Sequence, residues 1–169
     1  TLSIWDTVAH QYTLGDAWRD KVLVPFEPVP FLGGQDAGNV DAICLDMMQK
    51  CIGPGVVSAL TIADAESYCD WLNARDFAAE VVHSKRSKKA NASALDKLLS
   101  GQIRCVVHVA MLSEGVDIPP LRWICLRRPV ESRVRFVQEV GRVLRVIREP
   151  DLWGEKTSAK VLDPHALFE

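Results

Sequence analysis

The sequence predicts an α/β fold in which a parallel sheet is flanked by helices. From Val56 onward, short apolar runs alternate with stretches whose apolar residues recur at helical spacing, as in proteins built on a parallel sheet. The length of 169 residues suits one well-cored domain and is too short for two. Hydrophobic residues make up 48% of the chain and charged residues 25%, a composition typical of a soluble globular protein that favours neither a disordered nor a fibrous class.

The first 39 residues are interpreted as a lead-in segment and a linker. A short strand is expected over residues 8–12, followed by a helix over residues 14–22, because a helix has to end before Pro25. A cluster of prolines and glycines typical of a linker follows: Pro25, Pro28, Pro30, Gly33, Gly34 and Gly38. We therefore place the domain itself at residues 40–169.

The domain is expected to open with a helix over residues 40–51, which Gly53, Pro54 and Gly55 end. Strands are then placed near residues 56–61, 79–83, 104–109, 123–126 and 160–163. Helices are placed near residues 64–74, 91–99 and 131–146. Ligands of such a sheet gather at the carboxyl ends of its strands. Candidate binding segments are therefore Thr61 and residues 84–89, 110–117 and 127–131.

Charge is strongly segregated along the chain, although the net charge is only −2. Eight arginines and only two acidic residues lie between Arg122 and Arg148. A second basic cluster consists of Lys85, Arg86, Lys88 and Lys89. These two segments are the candidate surfaces for an anionic partner such as nucleic acid.

The five cysteines predict neither disulfides nor a metal site. They are odd in number, and no two are spaced as C-x-x-C. We expect Cys105 and Cys125, which lie inside apolar runs, to be small buried side chains.

No membrane or export segment is expected. The chain has no run of about 18 apolar residues and no signal peptide, which favours a cytoplasmic protein without a membrane partner. Because the sequence begins with Thr1 and not Met, we expect it to be a piece of a longer polypeptide.

The helix expected over residues 131–146 carries a polar face and an apolar face. At about 100° per residue, Gln138, Arg142 and Arg145 fall on one side. The opposite side collects Phe136, Val137, Val140, Leu144 and Ile147. Gly141 costs about 1 kcal/mol relative to Ala, which is acceptable where another group must approach the backbone. Taken alone, the pattern also fits an arginine-rich helix exposed to solvent.

The segment over residues 110–119 follows the apolar strand at residues 104–109. Gly115 can adopt a positive φ and Asp117 can accept hydrogen bonds, which suits a loop that binds a ligand. Taken alone, the segment also fits an ordinary turn.

Together, these two segments resemble motifs V and VI of superfamily 2 helicases. The resemblance rests on residues 107–120, on Arg128, Pro129 and Ser132, and on the Gln-x-x-Gly-Arg-x-x-Arg element at residues 138–145. Over about residues 56–168 the chain is similar to the second of two RecA-like motor domains. The lead-in resembles that of restriction motors and repair helicases. Val109 and Ala110 depart from the Thr-Asp of DEAD-box relatives.

The resemblance implies part of an ATP-dependent helicase or translocase. ATP with Mg²⁺ would be bound mainly by a first RecA-like motor domain of the same polypeptide. Arg142 and Arg145 would act as arginine fingers, and Gln138 would help to hold the site. Further nucleotide contacts are expected from Glu114, Gly115 and Asp117.

The resemblance also implies contact with a nucleic-acid strand, for which DNA is favoured over RNA. This strand would lie against a second group of residues: Thr61, Ser84, Lys85, Arg86, Met111 and Ser113. The isolated chain is expected to be inactive, since it contains no G-x-x-x-x-G-K-[ST] phosphate loop and no Asp-Glu-x-His or Asp-Glu-x-Asp run. The alternative is an adaptor derived from a helicase domain, which binds nucleic acid or protein without catalysis. An unrelated nucleotide-binding α/β fold is disfavoured by the missing glycine-rich loop.

Overall fold

The computed structural model describes residues 13–31, 39–109, 120–128, 133–148 and 151–165. These residues form six parallel strands in one sheet, in the order β1-β6-β5-β2-β4-β3. The strands are β1 Phe26–Pro30, β2 Gly55–Ser58, β3 Ala79–Val82, β4 Cys105–His108, β5 Trp123–Cys125 and β6 Ala159–Asp163. The helices are α1 Leu14–Arg19, α2 Val40–Gln49, α3 Ile62–Asn73, α4 Lys88–Leu99 and α5 Arg133–Val143. The predicted α/β fold with a parallel sheet is confirmed.

Helices cover the sheet on both faces, which gives two separate hydrophobic cores. One core lies under α2 and α3, and the other lies under α4 and α5. Successive side chains of a strand point to opposite faces. In β5, accordingly, Trp123 and Cys125 belong to the first core and Ile124 belongs to the second. The strands are therefore buried on both sides, as their nearly continuous apolar runs predict.

Side-chain caps set the beginnings of the helices that follow β2 and β3. The Thr61 hydroxyl accepts a hydrogen bond from the Asp64 amide, and the Ser87 hydroxyl accepts one from the Ala90 amide. Each cap satisfies a backbone N–H that the first helical turn leaves unpaired. As a result α3 and α4 begin two and three residues earlier than the apolar pattern predicts. The lead-in helix α1 ends at Arg19, before the predicted end at residue 22.

The proline-rich stretch after α1 corrects the linker prediction, because its residues 26–30 form the edge strand β1. This strand pairs with β6, with Phe26 opposite Ala159. The Pro25 carbonyl accepts a hydrogen bond from the Ala159 amide, and the Phe31 amide donates one to the Asp163 carbonyl. The backbone N–H and C=O groups of the odd-numbered residues therefore point toward β6. Pro28 and Pro30 then direct their nitrogens away from it, a position where a missing N–H costs no ladder hydrogen bond. The boundary at residue 39 stays a prediction, and the strand expected at residues 8–12 lies outside the described residues.

Candidate functional site

All candidate binding segments follow the carboxyl ends of strands, and these ends share one edge of the parallel sheet. Thr61 follows β2, residues 84–86 follow β3, and Arg127 and Arg128 follow β5. The segment after β4 lies outside the described residues, and with it lie five of the predicted contacts. The roles of these five therefore stay predictions: Met111, Ser113, Glu114, Gly115 and Asp117.

Thr61 lies exposed at the start of α3, in a loop held by hydrogen bonds to Asp64. The Thr61 hydroxyl oxygen accepts from the Asp64 amide at 3.1 Å, and the Asp64 carboxylate accepts from the Leu60 amide at 3.0 Å. Since the hydroxyl oxygen is the acceptor in this cap, its hydrogen can still donate to a ligand oxygen. The predicted contact residue is thus presented on a fixed turn.

Arg127 ties β5 to α2 and α3, a role that the sequence does not reveal. Its Nε lies 2.7 Å from the Asp41 carboxylate, and one terminal nitrogen lies 2.9 Å from the Asp64 carboxylate. The guanidinium also stacks 4.2 Å from the ring centre of Tyr68. Two acidic partners offset its charge, so Arg127 contributes less to an anion-binding surface than the basic cluster suggests. These partners are distant in sequence, and no short-range pattern marks them.

A buried ion pair fixes α5 to the end of β5. Arg128 donates to the Glu139 carboxylate, and the two residues are only 8% and 2% exposed. Removing one partner of such a pair typically costs about 3–5 kcal/mol, because the other charge stays buried. The arginine that belongs to the predicted motif therefore orients the helix that carries Gln138 and Arg142.

The basic turn after β3 divides into exposed and engaged residues. Ser84 and Lys85 are exposed. Arg86 instead folds back on the edge strand, where it donates to the Val81 carbonyl and lies 3.4 Å from the Glu80 carboxylate. The Lys97 ammonium, and Arg86 with it, holds the pKa of Glu80 below its ordinary value. Of the three predicted contacts here, Ser84 and Lys85 are the more accessible.

The amphipathic character of α5 is confirmed. Gln138 is exposed and Arg142 is half-buried, whereas the side chains that anchor the helix are buried: Val140, Val143 and Leu144. Val137, expected on the apolar face, is 46% exposed. A Cβ added to Gly141 would meet no described residue within 4 Å, so this part of the chain leaves the backbone open to an approaching group there.

Arg145 does not lie on the helical face that its spacing predicts. The helix ends at Val143, three residues before the expected residue 146, and Arg145 forms an isolated antiparallel bridge with Leu23. Its side chain is exposed. The structure thus places Gln138 and Arg142 one turn apart on α5, and Arg145 on a separate extended segment directly after it.

Lys156, which sequence reasoning missed, holds this extended segment. Its ammonium donates to the carbonyl oxygens of Val143 at 2.6 Å and Arg145 at 2.7 Å. The residue is 5% exposed, and burial lowers the pKa of its ammonium to about 8. It comes from a short polar stretch before β6, where nothing in the sequence distinguishes it from a surface lysine.

Neither a metal centre nor a membrane-spanning helix is found in the described residues. Within these ranges no three His, Cys, Asp or Glu side chains are grouped so that they could hold a metal ion. In the same part of the chain, no helix has the length and apolarity needed to cross a membrane.

Comparison with known families and relatives points to helicases. A family model described as the helicase conserved C-terminal domain matches residues 40–147. UvrABC system protein B of Kosmotoga olearia is 30% identical over 111 residues, which are 61% of this chain and 17% of that protein. The chain thus spans less than a fifth of that relative's length.

Solved structures show the same fold. The E. coli DEAD-box protein SrmB is similar with a TM-score of 0.63 and 14% identity, over 83% of this chain and 77% of that chain. The Mycobacterium smegmatis helicase Lhr, solved with ssDNA and AMP-PNP, has a TM-score of 0.59 and 21% identity, over 85% of this chain and 20% of that chain. The predicted RecA-like arrangement of a parallel sheet between helices is confirmed.

Proposed function

This chain belongs to the family of helicase conserved C-terminal domains, and we propose that it is the second motor domain of an ATP-dependent helicase or translocase. In this role Arg142 and Arg145 face ATP that is bound mainly on a first RecA-like motor domain of the same polypeptide. Residues at the carboxyl edge of the sheet contact the nucleic-acid track.

The observation that carries this proposal is the presentation of Arg142 on α5. The helix is anchored by a buried apolar face and by the Arg128–Glu139 ion pair, while Gln138 and Arg142 lie on its other side. A charged group held on a rigid element needs little reorganisation when a ligand arrives. An adaptor has no need of such a rigidly presented arginine.

For ATP hydrolysis, this chain has to supply little more than positive charge at a fixed position. ATP with Mg²⁺ supplies the phosphoryl group that is transferred to water. The chain contains no phosphate loop, so its residues fit a role facing the phosphates and not a role as the main nucleotide holder. Arginines that stabilise the charge of the transferring phosphoryl group accelerate such reactions by about 10³- to 10⁵-fold. Their planar guanidinium can donate two parallel hydrogen bonds to phosphate.

Contact with the track is proposed for Thr61, Ser84, Lys85 and Arg86, together with Met111 and Ser113. Support comes from the exposure of Ser84 and Lys85 on the turn after β3 and from the fixed turn at Thr61. Two further exposed lysines, Lys88 and Lys89, begin α4 beside this turn. We propose DNA as the track.

Replacing the arginines one at a time tests the nucleotide role. In the full-length protein we expect Arg142→Ala and Arg145→Ala each to lower the kcat of nucleic-acid-stimulated ATP hydrolysis by at least about 100-fold. The matched control is Arg75→Ala, since Arg75 is exposed beside α3 in the opposite helix layer. Wild-type rates in both arginine variants, with the strand still bound, would support the adaptor instead.

Titrations with a nucleic-acid strand test the proposed contact with the track separately from the nucleotide role. Lys85→Ala should raise the strand concentration for half-maximal stimulation severalfold while kcat stays unchanged. It should also reduce the slope of log affinity against log salt by about one. Lys50→Ala serves as the control, because Lys50 is an exposed lysine at the end of α2. An unchanged salt slope in Lys85→Ala would exclude Lys85 from the track. Parallel titrations with DNA and RNA strands decide the kind of track.

A further inference from the structure

Three consecutive carbonyl oxygens at the end of α5 each accept a hydrogen bond from a distant part of the chain. Lys156 donates to the Val143 and Arg145 carbonyls, and the Val24 amide donates to the Leu144 carbonyl between them at 2.8 Å. The backbone that carries Arg145 is therefore held from two directions. The buried ammonium of Lys156, which precedes β6, holds it from one side, and the Val24 amide, which precedes β1, holds it from the other.

A buried lysine at this position is unfavourable unless its charge is compensated. Burying an ammonium group is unfavourable unless polar partners compensate it. The carboxyl end of a helix offers such partners, because its last carbonyls carry partial negative charge and have no acceptor role inside the helix. The opposite charges of Arg122 and Asp151 also act on Lys156, and a guanidinium nitrogen of Arg122 lies 2.6 Å from the Asp151 carboxylate.

These contacts fix the position of the Arg145 backbone, from which its side chain extends. Beyond Val143 the chain no longer follows helical geometry, so the helix alone does not determine where Arg145 points. The two carbonyl contacts of Lys156 bracket the turn, and the Leu23 bridge fixes the direction that follows. Without Lys156, the Val143 and Arg145 carbonyls would lose these two hydrogen bonds, and the turn would be held less firmly to the body of the domain.

We propose that Lys156 is a positioning residue that sets the place of Arg145 at the nucleotide, an inference that rests on the proposed function. Displacing a catalytic group by about 1 Å can cost about 100-fold in rate. Loss of the Lys156 contacts should therefore act on kcat and leave the binding of ATP and strand largely intact.

The test compares Lys156→Met with Lys156→Arg in the full-length protein. Met has a similar length and no donor, whereas Arg keeps the charge and the donors. We expect Lys156→Met to lower the kcat of stimulated ATP hydrolysis by about 10- to 100-fold, with the KM for ATP and the Kd for strand within about twofold of wild type. Lys156→Arg should lose less. Equal losses in the two variants would overturn the inference.

Hydrogen exchange separates positioning from general stability. In Lys156→Met, the amides of residues 144–146 should exchange faster, while the amides of β2 and β4 should keep their protection. Faster exchange across the whole sheet would make Lys156 a stability residue and overturn the inference.

The failure of this inference is distinguishable from failure of the proposed function. If Arg145→Ala keeps the wild-type rate, the proposed function of Arg145 fails. If Arg145→Ala is slow and Lys156→Met is not, the proposed function stands and the positioning role alone fails.

Discussion

At the scale of the residue, Gly55 shows how tightly one side chain fills the sheet. A Cβ on Gly55 would overlap the indole ring of Trp123, which is fully buried and donates from its indole nitrogen to the Gly53 carbonyl at 3.0 Å. The ring cannot move aside without losing that hydrogen bond. Gly55 is therefore required by packing and not by its backbone angles.

We predict that Gly55→Ala lowers the free energy of unfolding by about 3 kcal/mol, because overpacking forces the ring or the strand to shift. Urea denaturation followed by circular dichroism measures this change. Gly141→Ala is the matched control, since an added Cβ there meets no described residue within 4 Å. In a helix this change should raise the free energy of unfolding by about 0.5–1 kcal/mol. Similar midpoints for the two variants would contradict the packing argument.

Short-range periodicity predicts some of the candidate site and misses the rest for identifiable reasons. The place of Gln138 and Arg142 on the side of α5 opposite its buried apolar residues follows from helical spacing alone. Arg145 is misplaced by the same reasoning, because the wheel assumes a helix that continues beyond Val143. The roles of Arg127 and Lys156 depend on partners brought near by the fold, which no local pattern reveals.

At the scale of the element, both edges of the sheet are protected against pairing with other strands. On β3, the Asn73 side chain takes the place of a neighbouring strand: it donates to the Ala79 carbonyl and accepts from the Ala79 amide, both at 3.0 Å. Arg86 covers the Val81 carbonyl two residues further on. On β1, Pro28 and Pro30 remove outward N–H groups. Unprotected edges of this kind invite aggregation.

Asn73→Ala should therefore expose one amide and one carbonyl of the β3 edge. We expect a loss of about 1–2 kcal/mol in the free energy of unfolding, and self-association that increases with protein concentration. Light scattering coupled to size exclusion reports the association. Gln49→Ala, which removes an exposed amide at the end of α2, should stay as monodisperse as wild type. If both variants behave alike, Asn73 does not guard the edge.

The elements themselves were predicted more reliably than their boundaries. Five of the six strands follow directly from apolar runs, because a strand buried on both faces needs one. β1 was missed because prolines normally argue against a strand, and only its edge position makes them acceptable. The early starts of α3 and α4 follow from the caps Thr61 and Ser87, which carry the helix beyond the apolar pattern.

At the scale of the whole molecule, all five cysteines lie in the same one of the two cores. They belong to the layer between the sheet and the helices α2 and α3: Cys44, Cys51, Cys69, Cys105 and Cys125. Burial raises the pKa of Cys69 to about 11 and raises that of Cys51 and Cys105 as well. Thiolates, the reactive form, are therefore scarce at these three positions of the folded protein.

We predict that a thiol reagent at pH 8 labels the native protein slowly and that the rate rises with urea as this layer opens. Mass spectrometry of labelled peptides identifies which cysteines react. A variant with Ser93→Cys, at an exposed position of α4, should react within minutes and shows that the reagent is active. Rapid labelling of two or more native cysteines without urea would mean that the α2–α3 layer is not closed.

The place of β1 in the sheet also determines when the fold can be completed. Among the described residues its only neighbour in the sheet is β6, the last of the six described strands, and well over a hundred residues separate the two. During synthesis, β1 leaves the ribosome before β6, and the strands between them can assemble first. Closing so long a loop makes this pairing a late step. The Val24 amide, which donates to the Leu144 carbonyl, directly precedes β1, so the pairing of β1 with β6 also helps to hold this contact in place.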